Sequence, residues 1–179
     1  MLAKKAKLTW TSIKTPAEMS GKYETSFYVD EKQTGALIDA IDKAWAEHKG
    51  SFKGQPQSLG YTYVEDESGV PTGEVKFKAT QAPKSADGKY TFEVGCYDAD
   101  AREIKKEDIP NIGNGTIGNI EFELYPYTFK TNRGIKLNLK RIQILKLEEY
   151  GDTNPFEQEE GDFKTDEGNP FESDRPEGL

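Results

Sequence analysis

The distribution of charge divides this 179-residue chain into two parts near Leu147. Of the 32 acidic and 24 basic residues, 12 acidic and 2 basic ones lie from Glu148 onward, which leaves 20 acidic and 22 basic residues in 1–147. A block with a net charge of −10 repels itself and is too polar to build a core. We therefore predict one folded domain at 1–147 and a disordered acidic tail for protein interactions at 148–179, since single domains cluster at roughly 100–150 residues.

The predicted tail repeats one tetrapeptide, Asn-Pro-Phe-Glu, at 154–157 and 169–172. Phe156, Phe163 and Phe171 place aromatic rings near carboxylates on a segment that has no core to bury them. Two copies of one motif on a tether raise its effective concentration at a partner. These three phenylalanines are either anchors that bind partner proteins or scattered aromatic residues in a disordered segment, and the repeat favours the first interpretation.

The composition gives no signal for a membrane or for an oxidising compartment. Cys96 is the only cysteine, so an intramolecular disulfide is excluded. No apolar run approaches the roughly 20 residues that span a bilayer. The basic start, MLAKKAKLTW, lacks the apolar stretch of a secretory leader. We expect a cytoplasmic protein without a membrane partner.

Hydrophobic periodicity in 1–147 predicts one helix and several short strands. Apolar residues recur at three- and four-residue spacings over 32–49, which indicates an amphipathic helix that Gly50 ends. Alternating patterns between turn residues, among them the Asn-Arg-Gly turn predicted at 132–134, indicate the strands. The predicted strands are 22–30, 59–65, 73–80, 89–97, 117–125 and 134–147.

The last predicted strand carries an irregularity that small barrels require. Its apolar phase shifts within 140–145, and such shifts predict bulges or a sharp coil, because side chains alternate between faces with a period of two. Five or more short strands with one helix favour a mainly β fold. We predict a five-stranded Greek-key barrel of the OB type with extra strands, and a β-sandwich is the alternative.

No pattern in the sequence indicates a catalytic or metal site. His48, the only histidine, falls on the apolar side of the predicted helix and is expected to pack rather than to catalyse. Cys96 lies in a strand pattern without a histidine base, so burial is expected. The GNGT segment at 113–116 lacks the lysine of a phosphate-binding loop and is predicted to be a turn rather than a phosphate cradle. The carboxylates lack clustered ligands and EF-hand spacing, so we predict no metal, no cofactor and no enzymatic activity.

Aromatic and basic side chains alternate along several predicted strands, most densely in 125–140. Exposed rings stack unpaired bases for about 1–3 kcal/mol whatever the base, while lysine and arginine follow the phosphates. The predicted nucleic-acid-binding residues are Tyr61, Tyr63, Lys76, Lys78, Tyr125, Tyr127, Phe129, Lys130, Arg133, Lys136 and Lys140. For each side chain taken singly, packing or protection of a sheet edge is the alternative explanation.

Several motifs closely resemble those of the single-stranded DNA-binding proteins of T7-type tailed bacteriophages. They are EDIPNIGNGT at 107–116, LYPY at 124–127, Gly134 and KLNL at 136–139, and they occur in the family's order before an acidic tail. The resemblance implies an OB fold and sequence-independent binding of single-stranded DNA. It also implies a tail that recruits phage replication proteins, namely a DNA polymerase and a primase or helicase, in the cytoplasm of an infected bacterium.

The resemblance assigns DNA contact to Tyr127 and to Phe129, where the family has tryptophan. Two features depart from the family pattern: the insertion after the helix is shorter, and the chain finishes on Glu177-Gly178-Leu179 rather than on an aromatic residue. We expect a protein that coats DNA in replication, recombination and repair, as a monomer or a homodimer, with a tail that competes with DNA for the binding surface. The rival is an acidic β-barrel adaptor or DNA mimic that binds proteins, and it predicts carboxylates rather than lysines on the 125–140 face.

Overall fold

The computed structural model describes residues 1–149, and the tail residues Phe156, Phe163 and Phe171 lie outside the described part. The chain there forms eight strands and one α-helix, with a single 3₁₀ turn at Lys106–Asp108. The elements are β1 (Leu2–Ser12), β2 (Tyr23–Tyr28), α1 (Glu31–Lys49), β3 (Tyr61–Glu65), β4 (Pro71–Gln81), β5 (Gly95–Tyr97), β6 (Glu103–Ile104), β7 (Ile117–Phe129) and β8 (Asn132–Lys146).

Five strands close into a barrel in the order β1-β2-β4-β8-β7, with β7 returning to β1. The neighbouring strands are antiparallel except β4 and β8, which pair in parallel at Ala79 with Leu137 and at Thr80 with Asn138. Two additions extend this sheet, because β3 pairs with β4 and the short β5–β6 hairpin pairs with β8. The prediction of an OB-type barrel with extra strands is confirmed. The β-sandwich alternative is wrong, since the β4–β8 pairing closes one continuous sheet.

The barrel interior is filled by alternate residues of its strands, as the period of two requires. Phe27 of β2, Phe77 of β4 and Phe122 of β7 are fully buried and form its aromatic centre. The ring centroids of Phe27 and Phe77 are 5.4 Å apart, and those of Phe27 and Phe122 are 5.8 Å apart. These contacts join three strands that are distant in the sequence into one core.

Helix α1 begins and ends as its sequence predicts. Its N-cap residue Asp30 accepts a hydrogen bond of 2.9 Å from the backbone N–H of Gln33, and Gly50 ends the helix with a φ of +50°. Leu37 and Ile41 are its buried residues, and the helix contacts β7 and β8. Within residues 1–149, neither this helix nor any other combines the length and apolar character needed to cross a bilayer.

Strand β1 is the longer of two strands that no sequence pattern predicted, the other being the two-residue β6. Its buried residues are Ala3, Ala6 and Leu8, a spacing that changes from three to two, so the pattern does not alternate. Bulges cause the change: Lys5 and Trp10 adopt positive φ angles of +49° and +51° beside the two shifts in register.

Side chains from the neighbouring loop and strand satisfy the bulged backbone of β1. Asn119 Oδ1 accepts a hydrogen bond from the N–H of Lys5 at 2.9 Å, and Asn114 Oδ1 accepts one from the N–H of Trp10 at 2.8 Å. The bulges are therefore held by residues more than a hundred positions away, which no local pattern in the sequence reveals.

The bulges predicted for the last strand are present. In β8 the pairing with β7 skips Lys140 and Leu145, each an extra residue between two regular pairs. Ile142 and Ile144 therefore face the core together with Leu139, although their positions differ in phase. The shift in the apolar pattern over 140–145 thus reports real curvature at the barrel wall.

Two local predictions are wrong. The predicted strand 89–97 is regular only at Gly95–Tyr97, because residues 83–92 fold back on themselves as a separate hairpin. The predicted turn at 132–134 lies inside β8, and the chain reverses at Lys130, whose φ is +53°, and at Thr131. Gly134 serves another purpose, described below.

Candidate nucleic-acid interface

A surface groove of about 720 Å³ lies where β4 and β8 diverge at the barrel closure. The chain between α1 and β3 enters this gap. The carbonyl of Ser58 accepts a hydrogen bond of 2.9 Å from the N–H of Ile135 in β8, and the carbonyl of Gly60 accepts one of 2.9 Å from the N–H of Lys78 in β4. Because β4 and β8 no longer pair here, these two hydrogen bonds satisfy backbone groups that the separation leaves free. They also hold the segment 58–60 in place as one wall of the groove.

Tyr127 also lines the groove, and its position depends on Gly134. The two residues are cross-strand partners in the β7–β8 hairpin. A Cβ at Gly134 would stand 2.7 Å from Tyr127 Oη and would also collide with the carbonyl of Ser58, so only glycine lets the ring lie across β8. The hydroxyl of Tyr127 lies 3.5 Å from Gln57 Oε1, and partial burial raises its pKa. One edge of the ring is thus held while the rest faces the groove.

Tyr61 adds a second ring to the same groove. Its hydroxyl donates a hydrogen bond of 3.1 Å to Asp42 Oδ1 on α1, and its ring packs against Phe77 at 6.1 Å and edge-on against Tyr63 at 5.9 Å. Burial, followed by the bond to Asp42, raises the pKa of Tyr61 to about 12. The hydrogen bond to Asp42 and the packing on Phe77 hold Tyr61 in one orientation.

The groove is lined with positive charge. Among residues 1–149, its lining contains four lysines and no carboxylate: Lys22, Lys76, Lys78 and Lys136. Burial lowers the pKa of Lys136, and the charges of Lys22 and Lys140 lower it further, so three ammonium groups act on one another here. Lys78 pairs with Glu24 at 3.1 Å, outside the lining. Without an anion these lysines repel one another. A bound anion would relieve that repulsion, so the groove favours anion binding.

Six of the eleven predicted binding residues line the groove, and the other five lie outside its lining. Those that line the groove are Tyr61, Lys76, Lys78, Tyr127, Phe129 and Lys136. Two others stand at its border, since Lys136 Nζ lies 5.9 Å from the ring of Tyr125, and Lys130 Nζ lies 5.5 Å from the ring of Phe129. Tyr63 is exposed outside the lining. Their role in binding remains a prediction.

The remaining two predicted cations are engaged elsewhere. Arg133 donates a hydrogen bond of 3.1 Å to the carbonyl of Lys49 and lies 5.2 Å above the ring of Phe52, so it ties the end of α1 to β8. Lys140 forms a salt bridge of 3.0 Å with Glu123 on the neighbouring strand. Both side chains would have to leave these partners in order to contact a phosphate.

Sequence reasoning missed several groove residues, and Lys22 is the most consequential. It lies in the loop between β1 and β2, which the barrel topology brings beside Lys136. The other missed lining residues are Gln57, Ser58, Gly60, Thr62, Thr80, Ile135 and Leu137. Lys22 is the first residue of the predicted strand 22–30, and its distance in sequence from 125–140 gave no sign that the two meet.

The residues set aside as catalytic candidates have structural roles. Cys96 is 1% exposed, and burial raises the pKa of its thiol to about 11. His48 Nε2 forms a hydrogen bond of 2.8 Å with the carbonyl of Tyr127 and links α1 to β7. In the 113–116 turn, the N–H groups of Gly113 and Gly115 donate to the carbonyls of Glu148 and Leu8, at 2.6 and 2.9 Å. The turn interpretation is confirmed, because those donors are not available to a phosphate.

The fold and the groove define a class of protein: an OB-type barrel with an aromatic, cationic groove beside the second and third barrel strands and the hairpin of the last two. That is the surface with which OB folds bind oligonucleotides and oligosaccharides. No protein-family model matches the chain.

Comparisons with individual proteins confirm the resemblance to the single-stranded DNA-binding proteins of T7-type phages. The chain is 29% identical over 87 residues to the single-stranded DNA-binding protein of Escherichia phage T7, a match that covers 48% of this chain and 38% of that protein. The crystal structure of gp2.5, a single-stranded DNA-binding protein encoded by bacteriophage T7, superposes with a TM-score of 0.63 at 17% identity, over 92% of this chain and 98% of that one. The single-stranded DNA-binding protein of bacteriophage Enc34 in complex with ssDNA gives a TM-score of 0.60 at 17% identity, over 84% and 88%.

Proposed function

We propose that this chain is a phage single-stranded DNA-binding protein that coats and protects DNA strands, without reading their sequence, in replication, recombination and repair. The observation that carries the proposal is the groove in which Tyr61, Tyr127 and Phe129 share one surface with four lysines. Similarity to phage proteins of that description supports it. The proposal includes no catalytic step, and it places the protein in the cytoplasm of an infected bacterium.

The groove selects single strands through the faces of the bases. An unpaired base can lie flat on the ring of Tyr127 or Phe129, whereas a base inside a duplex has both faces covered by its neighbours. Stacking of this kind stabilises binding by about 1–3 kcal/mol per base and tolerates any base, since every base has a flat face. Lys22, Lys76 and Lys136 then follow the phosphates, which adds affinity without sequence preference.

The acidic segment at 148–179 has two roles in this proposal. As a polyanion with a net charge of −10 it competes with DNA for the lysines of the groove. When DNA displaces it, Phe156, Phe163 and Phe171 become accessible to replication proteins, a DNA polymerase and a primase or helicase. The repeated Asn-Pro-Phe-Glu motif supports this second role, because two copies raise the effective concentration at a partner.

The rival function, an acidic adaptor or DNA mimic, is disfavoured by the charge of the groove. It requires carboxylates on the 125–140 face. The carboxylate of Glu123, on the neighbouring strand, forms a salt bridge of 3.0 Å with Lys140 of this face. Lys136 of the same face has no salt bridge within residues 1–149. A surface of this kind attracts a polyanion instead of imitating one.

The proposal is tested by electrophoretic mobility shift with a single-stranded oligonucleotide and its duplex. Two proteins are compared, the full-length chain and a chain truncated after Glu149, which keeps the hydrogen bond of 2.6 Å from the N–H of Gly113 to the carbonyl of Glu148. We expect both to retard the single strand in preference to the duplex, and the truncated chain to bind more tightly at low salt. Failure of the truncated chain to retard the single strand would refute the DNA-binding function. Unchanged or weaker affinity after truncation would refute only the competition by the tail.

A further inference from the structure

A hairpin at residues 82–94, which connects β4 to β5, presents two aromatic rings to solvent. Tyr90 is 65% exposed and Phe92 is 41% exposed. They flank Thr91, which pairs with Lys84 on the other arm of the hairpin. Since side chains alternate along an extended segment, both rings point to the face opposite Thr91. Two adjacent, uncovered aromatic rings on one face of a short hairpin are a feature that neither the core nor the groove explains.

The hairpin is ordered by its own hydrogen bonds. The N–H of Phe92 donates to the carbonyl of Pro83 at 2.8 Å, and the N–H of Ser85 donates to the carbonyl of Tyr90 at 2.9 Å. At the tip, Asp87 Oδ1 accepts a hydrogen bond of 2.6 Å from Ser85 Oγ and one of 3.1 Å from the N–H of Lys89. The two rings are thus held on a defined scaffold, so a ligand that stacks on them does not have to order the loop first.

The position of the hairpin in the barrel connects it to the groove. At one end of the hairpin, Gln81 pairs with Tyr23, the residue after Lys22. At the other end, Gly95 pairs with Arg141, the residue after Lys140. Lys22 and Lys140 are the two cations that lie close enough to Lys136 to lower its pKa. A lysine therefore lies between the groove and each root of the hairpin, Lys22 on one side and Lys140, which is paired with Glu123, on the other.

The charges of the hairpin itself suit a polyanion. Lys84 has no salt bridge within residues 1–149, whereas Lys89, at the tip, forms one of 3.6 Å with Asp87. The two carboxylates are already engaged, because Asp87 accepts the hydrogen bonds of the tip and Glu93 forms a salt bridge of 2.5 Å with Lys106. The exposed combination is then two rings and the ammonium group of Lys84, unpaired in the described part of the chain, which is the kind of chemistry that the groove also offers.

We propose that the 82–94 hairpin is a second stacking platform, on which bases that leave the groove past Lys22 and Lys140 stack against Tyr90 and Phe92. This inference rests on the proposed function and extends it. It gives the DNA strand a path beyond the groove and makes the binding site longer than the groove alone. Sites on OB folds range from about 4 to 16 nucleotides, so an added platform lies within the known span.

The test compares two lengths of oligo(dT), about 6 and about 16 nucleotides, in equilibrium binding to the full-length protein. The variant is Tyr90→Ala with Phe92→Ala. We expect it to bind the long oligonucleotide about 5- to 100-fold more weakly than the wild type and the short one equally well. The pair Tyr90→Phe with Phe92→Tyr should retain wild-type affinity for both lengths, because it keeps two rings. Thr91→Ala, on the opposite face of the hairpin, should also leave both affinities unchanged.

Two results would overturn the inference while leaving the proposed function intact. One is an alanine variant that binds the long oligonucleotide, and also the short one, as tightly as the wild type does. The other is an equal loss for both lengths, which indicates damage to the fold rather than loss of a platform. If the wild-type protein binds neither oligonucleotide, also after truncation beyond Glu149, the proposed function itself fails. A length-dependent loss that the aromatic pair restores supports the platform, since a purely structural role would not depend on the length of the DNA.

Discussion

At the scale of single residues, Tyr127 connects the fold to the proposed chemistry. Its carbonyl accepts a hydrogen bond of 2.8 Å from Nε2 of His48 on α1, while its ring lies across Gly134. The backbone is thus fixed by the helix and the ring by the neighbouring strand. A ring held this way loses little conformational entropy when a base stacks on it, which favours binding.

Replacing Tyr127 by alanine should weaken binding of single-stranded DNA by about 1–3 kcal/mol, because one stacking surface is lost. The loss should be the same for oligo(dT) and oligo(dA), since a ring face does not distinguish bases. Tyr127→Phe is the matched control and should bind nearly as well as the wild type, because the hydroxyl makes only a contact of 3.5 Å with Gln57. Fluorescence anisotropy titrations measure all three proteins. An unchanged affinity of the alanine variant, or a loss confined to one sequence, would contradict the assignment.

The sequence predicted which types of residue occur at the site better than it predicted which of them bind other parts of the protein. Tyr127, Phe129 and Lys136 lie in the groove because their alternation on β7 and β8 is a local property. Arg133 and Lys140 share the same pattern, yet they bind Lys49 and Glu123. Those partners come from a helix and a neighbouring strand, so only the tertiary structure identifies them.

At the scale of elements, the β7–β8 hairpin and the segment before β3 act as one unit. The N–H of Gln57 donates to the carbonyl of Arg133 at 2.8 Å, and the carbonyl of Ser58 accepts from the N–H of Ile135 at 2.9 Å. Gly134 lies between these two hydrogen bonds. The absence of a side chain there allows both the segment and the ring of Tyr127 to approach β8.

Gly134→Ala should destabilise the protein by about 1–3 kcal/mol, because the added methyl group meets the backbone of Ser58 and the ring of Tyr127 with no room to relax. Gly35→Ala is the matched control: no atom lies within 4 Å of its new Cβ, and it should stabilise helix α1 by about 0.5–1 kcal/mol. Chemical denaturation of both variants measures the two changes. A neutral Gly134→Ala variant with wild-type DNA affinity would show that this close approach is not needed.

Elements whose apolar pattern is periodic could be predicted, and so could the break in the pattern of β8, but β1 and the 82–94 hairpin could not. Helix α1 and strand β7 follow clear periods of 3.6 and 2. Strand β1 escaped prediction because the bulges at Lys5 and Trp10 break its alternation, and the bonds that hold them come from Asn119 and Asn114. The pattern of 89–97 predicts a strand because Tyr90 and Phe92 alternate like core residues, although both are exposed on the 82–94 hairpin.

At the scale of the whole molecule, barrel closure is the step that creates the groove. The β4–β8 pairing at Ala79 and Thr80 joins two parts of the chain that are almost sixty residues apart in sequence. This pairing brings the loop that contains Lys22 next to Lys136. The fold class followed from the number of strands and their turns, but the shape of the groove depends on where the closed strands separate, which no pattern in the sequence encodes locally.

The salt dependence of binding tests the central claim most directly, namely that lysines of this groove neutralise the phosphates of a single strand. The measurement is the affinity of the chain truncated after Glu149 for oligo(dT) over a series of salt concentrations. Each phosphate contact on a single strand contributes about −0.7 to the slope of log K against log salt. Lys76→Gln with Lys136→Gln should make the slope shallower by about 1.4, while Lys7→Gln with Lys32→Gln, outside the groove, should leave it unchanged. Equal slopes for both pairs, or no binding by the truncated chain, would contradict the account.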